Sequence, residues 1–456
     1  MDERVRLLPR AFTSHPARTV VFAFGVVVLV GTALLSLPLA SEGGSGAGFV
    51  TSLFTSTSAV CVTGLAVVDT GSYWSGFGEG VILGLVQLGG FGIMTMASLL
   101  ALLVSGRLRL RMQLTAQAET KSLGIGNVRR VLLGVAGTTV VVELILATAL
   151  ALRFRFGYDR APWDAAYQGL FHSVSAFNNA GFGLHVDNLS QYRQDPWVTL
   201  PIAAAVILGG IGFPVLLELL RHRGRRRLTG RRHWSLHTRL TLITTVVLLT
   251  AGTVMICLLE WTNPGTLGPF DSAQKLLNGF FTSAMTRTAG FNSIDTGALH
   301  PATLLFMCML MFIGGGSAGT AGGVKVTTFA VLAAAIVAES RGEPHAVILG
   351  RRLPPHVLRQ ALTVALLGVG LVISSTMALL TVTDEQPEAV LFEAVSAFGT
   401  VGLSTGITTD MPTIGQLILI LLMFVGRLGP VTLVSALALR ERTRRYRLPE
   451  ERPVIG

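Results

Sequence analysis

The chain has 456 residues, 50% of them hydrophobic and 13% charged, with a formal net charge of +11. At a mean hydropathy of +0.61 it is too apolar and too poor in charge for an ordinary water-soluble domain, so its solvent is a bilayer. The positive balance does not indicate nucleic acid, because the densest basic run, 221–232, has no interleaved aromatic side chains for base stacking.

In chain order, a basic stretch at 1–18 leads into an apolar run at 20–39, long enough to be a span and not a cleavable leader. A shorter semi-apolar segment, 49–63, ends at Gly64, and an apolar run follows at 81–104. The same order recurs: 131–152, a short segment 166–180 ending at Gly181, and 198–220; then 238–259, a short segment ending at Gly290, and 302–338; then 360–383, a short segment ending at Gly402, and 413–436. Each short segment is about a dozen residues, too few to cross, and is predicted to be a re-entrant helix. Further basic stretches lie at 107–130, 221–239, 341–359 and 440–452, between repeats or at the ends, which predicts that both termini are cytoplasmic. They also predict contact with anionic lipids. The opposite face carries Asp69, Asp187, Asp195, Asp271, Asp295, Asp384, Glu385, Glu388 and Asp410, an attractive surface for a cation. The predicted fold is an all-α membrane protein of four tandem span, re-entrant pore loop, span repeats: eight transmembrane helices and four pore helices around a central pore. The repeats cover 1–112, 113–228, 229–345 and 346–456. Cys61, Cys257 and Cys308 all fall in membrane-depth sequence, which argues against a disulfide framework or a metal site.

Each short segment carries a phenylalanine followed ten residues later by glycine and then Leu or Phe. The sets are Phe54, Gly64 and Leu65; Phe171, Gly181 and Phe182; Phe280, Gly290 and Phe291; Phe392, Gly402 and Leu403. Their recurrence about every 110 residues marks internal repeats. The loops read SAVCVTGL, SAFNNAGF, AMTRTAGF and SAFGTVGL, with Ser six residues before the glycine in three of them and Ala284 in the other. A glycine takes a positive φ that other residues resist, which lets consecutive carbonyls point one way. Four such loops supply rings of oxygen that replace the water shell of a monovalent cation. The preceding helices aim their negative carboxyl ends at the same axis. Close helix packing is the plain alternative for small residues in a membrane; the shared Phe and spacing favour the filter.

A second glycine element follows 24 to 28 residues later, at Gly89 to Gly92, Gly209 to Gly212, Gly314 to Ser317 and Gly426 to Gly429. The fourth contains Arg427 inside an apolar run. A charge at that depth faces a bundle interior or a wet cavity. At ~8 Å and an effective dielectric of ~20 it repels a cation by roughly 2 kcal/mol. Pairing with an acid such as Glu143 or Glu393 is the alternative. In the third repeat, six of the ten residues at 314–323 are glycine, so the helix must break there. A break at mid-membrane needs protein or water partners, which makes 314–325 the candidate gate; tight packing of a partner helix is the alternative.

These features together resemble the Trk/Ktr/HKT superfamily of potassium transporters over nearly the whole chain, and most of all the Ktr-type membrane, ion-translocating subunit. The resemblance implies four pore-forming units around one permeation path per subunit, a homodimer in the plasma membrane, and a separate cytosolic nucleotide-binding ring that moves the intramembrane loop. It implies filter oxygens from Val62, Thr63 and Gly64, from Asn179, Ala180 and Gly181, from Thr288, Ala289 and Gly290, and from Thr400, Val401 and Gly402. Potassium would bind there; Gly64 favours it over sodium, the other candidate cation, and no covalently bound cofactor is implied. Gly314, Gly315, Gly316, Ser317, Gly319, Gly322, Gly323 and Lys325 would gate, with Arg427 as the electrostatic part of the barrier. Asn178, Asn179 and Arg287 are expected to brace the filter from behind. Cys61 and Ala284 are unusual choices within their loops.

A sodium-coupled carrier with alternating access is the rival reading, since carriers also use repeats and broken helices. The common inside-to-inside polarity of all four repeats favours a pore. An enzyme is not expected: the spans offer no metal-ligand cluster and no Ser/His pair.

Overall fold

In hydrocarbon a segment must satisfy its own amides, and the described residues of the computed structural model, 16–91, 128–224 and 234–429, are accordingly almost all helical or in short connections. The longer elements are α1 (Pro16–Leu35), α2 (Phe49–Cys61), α3 (Gly76–Gly90), α4 (Val128–Gly157), α5 (Pro162–Phe177), α6 (Pro196–Gly210), α7 (Phe213–Gly224), α8 (Leu236–Glu260), α9 (Ser272–Met285), α10 (Pro301–Phe312), α11 (Val326–Ser340), α12 (Pro355–Leu380), α13 (Pro387–Gly399) and α14 (Thr413–Leu428). A two-stranded ribbon, Val347–Ile348 with Arg351–Arg352, joins α11 to α12.

Among the described residues three helices are long and apolar enough to cross a membrane: α4 over Leu133–Gly157, α8 and α12. The expected single span at 198–220 is corrected: α6 and α7 pass the same test together but meet at 101°. Gly212 sits between them at φ +96, a conformation that ends a helix, and Pro214 follows it, lacking the amide that would continue the ladder. The expected break in 302–338 falls between α10 and α11. The expected spans 81–104 and 413–436 run past Phe91 and Gly429 into residues outside the described ones. The basic stretches at 107–130 and 440–452 and the repeat boundaries after 112 and 228 lie largely or wholly outside them as well.

The short helices α2, α5, α9 and α13 are buried toward their carboxyl ends. Phe54, Phe171 and Phe392 are buried and Phe280 is half-buried. Each short helix packs against the second helix of the preceding repeat: α3 on α5, α6 on α9, α10 on α13, and α14 back on α2. That succession closes on itself. Without a hydrophobic drive between helices in lipid, close van der Waals approach must hold it. Within a repeat the approach is closer still at Gly89, Gly209 and Gly426: a Cβ at each would fall on the carbonyl of Val60, Phe177 and Phe398, in the last turns of that repeat's own short helix, α2, α5 and α13. For these three second-element glycines, close packing is the role.

Candidate ion site

Left-handed backbone recurs at every second residue beyond each short helix. The φ values are 57° at Val62 and 89° at Gly64, 60° at Asn179 and 71° at Gly181, 77° at Thr288 and 66° at Gly290, and 49° at Thr400 and 92° at Gly402. Extended backbone would alternate its carbonyls; a left-handed residue at each second position turns them toward one side. The amides turn the other way. Thr63 donates to the Ser58 carbonyl at 2.8 Å, Ala180 to Ser175 at 2.7 Å and Val401 to Ser396 at 2.8 Å, so each loop closes the last turn of its own helix. Holding β-branched Val62, Thr288 and Thr400 left-handed costs about 1–2 kcal/mol apiece, strain of the kind that collects at functional sites.

The four loops meet. A Cβ on Gly64 would fall on the Ala180 oxygen, on Gly181 within 2.6 Å of the Ala289 oxygen, on Gly290 on the Val401 oxygen, and on Gly402 on the Thr63 oxygen. Each loop's glycine therefore lies against the carbonyl just before the next loop's glycine, and the fourth returns to the first. Eight of the twelve residues expected to supply oxygens, the four glycines and the residue before each, thus meet in one closed succession. The short helices end at Cys61, Phe177, Met285 and Gly399, directly before it, so their partial negative charges converge there.

The segment 313–325 lies against this ring. Its Gly316 amide donates to the Gly210 carbonyl at 2.7 Å, Thr320 to Gly209 at 3.4 Å, and Phe213 donates back to the Ala318 carbonyl at 3.1 Å. The break between α6 and α7 thus supplies the partners that an interrupted helix needs in lipid. The Thr320 hydroxyl donates to Asn179 Oδ1 at 3.0 Å, and a Cβ on Gly322 would fall on the Thr400 side chain. Lys325 Nζ donates back to the Ala321 carbonyl at 2.6 Å. Arg427 donates to the Thr320 carbonyl and to the Gly89 carbonyl at the end of α3. The two acids considered as its partners are engaged elsewhere: Glu143 accepts from Asn178 at 3.0 Å, and Glu393 accepts from Ser404, Thr405 and Thr408.

Two of the polar loop side chains, Asn178 and Arg287, reach helices behind their loops, whereas Asn179 reaches the neighbouring loop and 313–325. Asn178 Nδ2 donates to Gln87, Glu143 and the Val174 carbonyl. Arg287 donates to the Thr245 carbonyl at 3.1 Å. Asn179 is engaged on two sides, with Thr288 and with Thr320. One predicted filter oxygen has a protein partner: Asn188 donates to the Gly181 carbonyl at 3.1 Å. Sequence reasoning missed the serine caps, in which Ser58 Oγ accepts from the Gly64 amide at 3.0 Å and Ser396 Oγ from Gly402 at 3.1 Å. The Ser six residues before the glycine in three of the four loops was the signal. It also missed the α6–α7 break, although three glycines and a proline within 209–214 obey the same helix-breaking logic as 314–323.

Comparison with known proteins bears on the whole chain. The TrkH family, described as cation transport proteins, matches residues 11–443. The chain is 39% identical to the Ktr system potassium uptake protein B of Bacillus subtilis over 430 residues, covering 94% of each. It is 37% identical to the protein of that name from Vibrio alginolyticus, covering 96% of this chain and 94% of the relative. In fold it is similar to the potassium transporter TrkH of Vibrio parahaemolyticus, with a TM-score of 0.71 at 17% identity over 92% of this chain and 85% of the other.

Proposed function

This chain belongs to the TrkH family of cation transport proteins, and on that premise we propose that it carries potassium into the cell across the plasma membrane. The observation that carries the reading is the closed succession of four glycines, each against the carbonyl preceding the next. A desolvated monovalent cation exchanges its water shell for the oxygens of Val62, Thr63 and Gly64 and their counterparts at 179–181, 288–290 and 400–402. The converging carboxyl ends of α2, α5, α9 and α13 offset part of its dehydration. The repeats form eight membrane passages, those at 198–220 and 302–338 broken, and four pore helices around this path.

Below the ring, 314–325 blocks passage and Arg427 adds its repulsion. Arg427 also ties the loop to α3 through Gly89, so freeing the loop requires that tie to be broken. A cytosolic nucleotide-binding ring bound to a homodimer of this chain supplies the work. The high identity to two Ktr potassium uptake proteins B supports potassium as the cargo.

The test is rubidium uptake by proteoliposomes holding the purified chain, alongside potassium-limited growth of a transport-deficient cell expressing it. Uptake saturable in rubidium, competed by potassium and independent of a sodium gradient is expected. Uptake that requires a sodium gradient, or none with or without a cytosolic regulator, refutes the proposal.

A further inference from the structure

Glu393 is a fully buried carboxylate on α13, 0% exposed, beside the Phe392 that marks the repeat. Burying such a group is unfavourable unless donors surround it. Here they do: one oxygen accepts from the Ser404 hydroxyl and from the Thr405 amide at 3.1 Å, and the other from the Thr408 hydroxyl at 2.9 Å. Ser404 in turn accepts from the Gly406 amide at 2.9 Å. All the donors belong to 404–408, the stretch that leaves the ring directly after Gly402 and Leu403. Three residues further along α13, Ser396 holds the Gly402 amide itself. Residues three apart share a helix face, so one face of α13 grips the fourth loop at the ring and again just beyond it. The grip reaches the neighbouring repeat, because a Cβ on Gly297 would stand 2.9 Å from the Thr405 oxygen.

The first loop shares the serine cap, Ser58 on the Gly64 amide, but beyond the glycine the other loops are held differently. The positions matching Glu393, one residue after the repeated Phe, are Thr55, His172 and Phe281. The second loop is tied by Asn188 to the Gly181 carbonyl and by the Ser175 hydroxyl to the Phe182 carbonyl at 2.8 Å. The amide of Leu189 reaches the Asn292 carbonyl beyond the third at 3.1 Å. At this register position only the fourth pore helix carries an acidic side chain.

We propose that Glu393 is a specificity-positioning residue: its carboxylate fixes 402–408, and through that segment it sets how tightly the fourth quarter of the ring holds a cation and how well it rejects sodium. The inference rests on the ring being a potassium path. A carboxylate suits three donors because both oxygens only accept. Glutamine of the same size offers one such oxygen and turns an amide group toward the other donor, so Glu393→Gln loosens the segment and removes the negative charge while conserving volume. Glu393→Asp keeps the charge on a shorter arm.

The experiment measures rubidium uptake by the full-length chain in liposomes, separating KM from maximal rate, with the sodium concentration that halves uptake and the thermal midpoint of the purified protein. Glu393→Gln is expected to raise KM about tenfold, the equivalent of one lost charge-assisted hydrogen bond, and to weaken the discrimination against sodium. Maximal rate should stay within about twofold, and Glu393→Asp should recover a measurable part of the KM effect. If Glu393→Gln leaves KM and sodium competition unchanged, or lowers only the maximal rate and the thermal midpoint, the proposal is wrong. If that variant does not accumulate, Thr408→Val decides the matter: it removes a single donor and should raise KM by about threefold, and an unaltered KM overturns the assignment. Absence of rubidium uptake by the unsubstituted chain would instead remove the potassium reading itself, a result separable from equal KM values in chain and variant.

Discussion

Adding one methyl group at Gly181 tests the ring directly. Gly181 has φ +71, and a Cβ there would stand 2.6 Å from the Ala289 oxygen, 2.9 Å from Gly290 Cα and 3.1 Å from the Gly290 carbonyl carbon. All three atoms are backbone of the neighbouring loop, so no side-chain rotation relieves the contact. Reaching ordinary van der Waals separation requires the second and third loops to part by roughly 0.5–1 Å. Alanine in the left-handed region adds about 1–2 kcal/mol over glycine, and overpacking against a fixed backbone adds about as much again. A total of ~3 kcal/mol, if it falls on the cation-bound ring, weakens binding roughly a hundredfold. The assay is the KM for rubidium uptake in proteoliposomes, with Gly25→Ala as the control. A Cβ at Gly25, inside α1, meets nothing within 4 Å, and alanine is favoured in a helix, so that variant should behave as the parent. A Gly181→Ala protein that reaches the membrane and transports with KM and rate within about twofold of the parent would refute the ring as the binding element.

Arg427→Ala removes the donors to the Thr320 and Gly89 carbonyls together with a charge, and should raise unregulated rubidium efflux from loaded proteoliposomes by roughly tenfold; unchanged efflux ends its role in the barrier. Ser58→Ala with Ser396→Ala uncaps the Gly64 and Gly402 amides, at about 1 kcal/mol each, and should lower the thermal midpoint by an amount that departs from the sum of the single variants, because Gly402 lies against Gly64 and contacting residues couple; a strictly additive loss would count against their contact. His185, in the connection between α5 and α6, is held below the usual histidine range by burial and then by Arg160, with Asp164 and Asp69 pulling the other way. The unfolded chain therefore binds a proton that the folded one resists, and stability should fall as pH drops below about 6.5. His185→Gln should flatten that decline in thermal unfolding measured across the same range, and an identical slope would dismiss the histidine.

Much of the site was legible because it is a backbone device marked by residues that backbone geometry demands. Glycine at one position in each of four loops, and a glycine-dense stretch at 314–323, are signals written in the only residue lacking a Cβ. The left-handed turns at Val62, Asn179, Thr288 and Thr400 were not legible, since three of them are β-branched residues that local preference would never place there; the ring imposes them. The bend at Gly212 was obscured by the high hydropathy of 198–220, which reads as a single span when composition alone is weighed. The grip of Glu393 on 404–408 depends on which residues fold back against α13, and no local pattern contains that information.

The loops keep almost nothing else in common, and the reason is physical. Their last three residues read Val-Thr-Gly, Asn-Ala-Gly, Thr-Ala-Gly and Thr-Val-Gly, a set too varied for a site built from side chains. The side chains differ because each loop is backed by different neighbours: Asn179 by Thr288 and Thr320, Asn178 by α3 and α4, Arg287 by α8, and the fourth loop by Glu393. What recurs is the pair of left-handed residues and the glycine whose bare Cα admits the next loop's oxygen. Main-chain carbonyls present the same dipole whatever residue bears them, so divergence behind the ring leaves the oxygens in front of it alike. If the ring holds a cation as proposed, the same independence makes the backing residues the place where preference between cations is adjusted without rebuilding it.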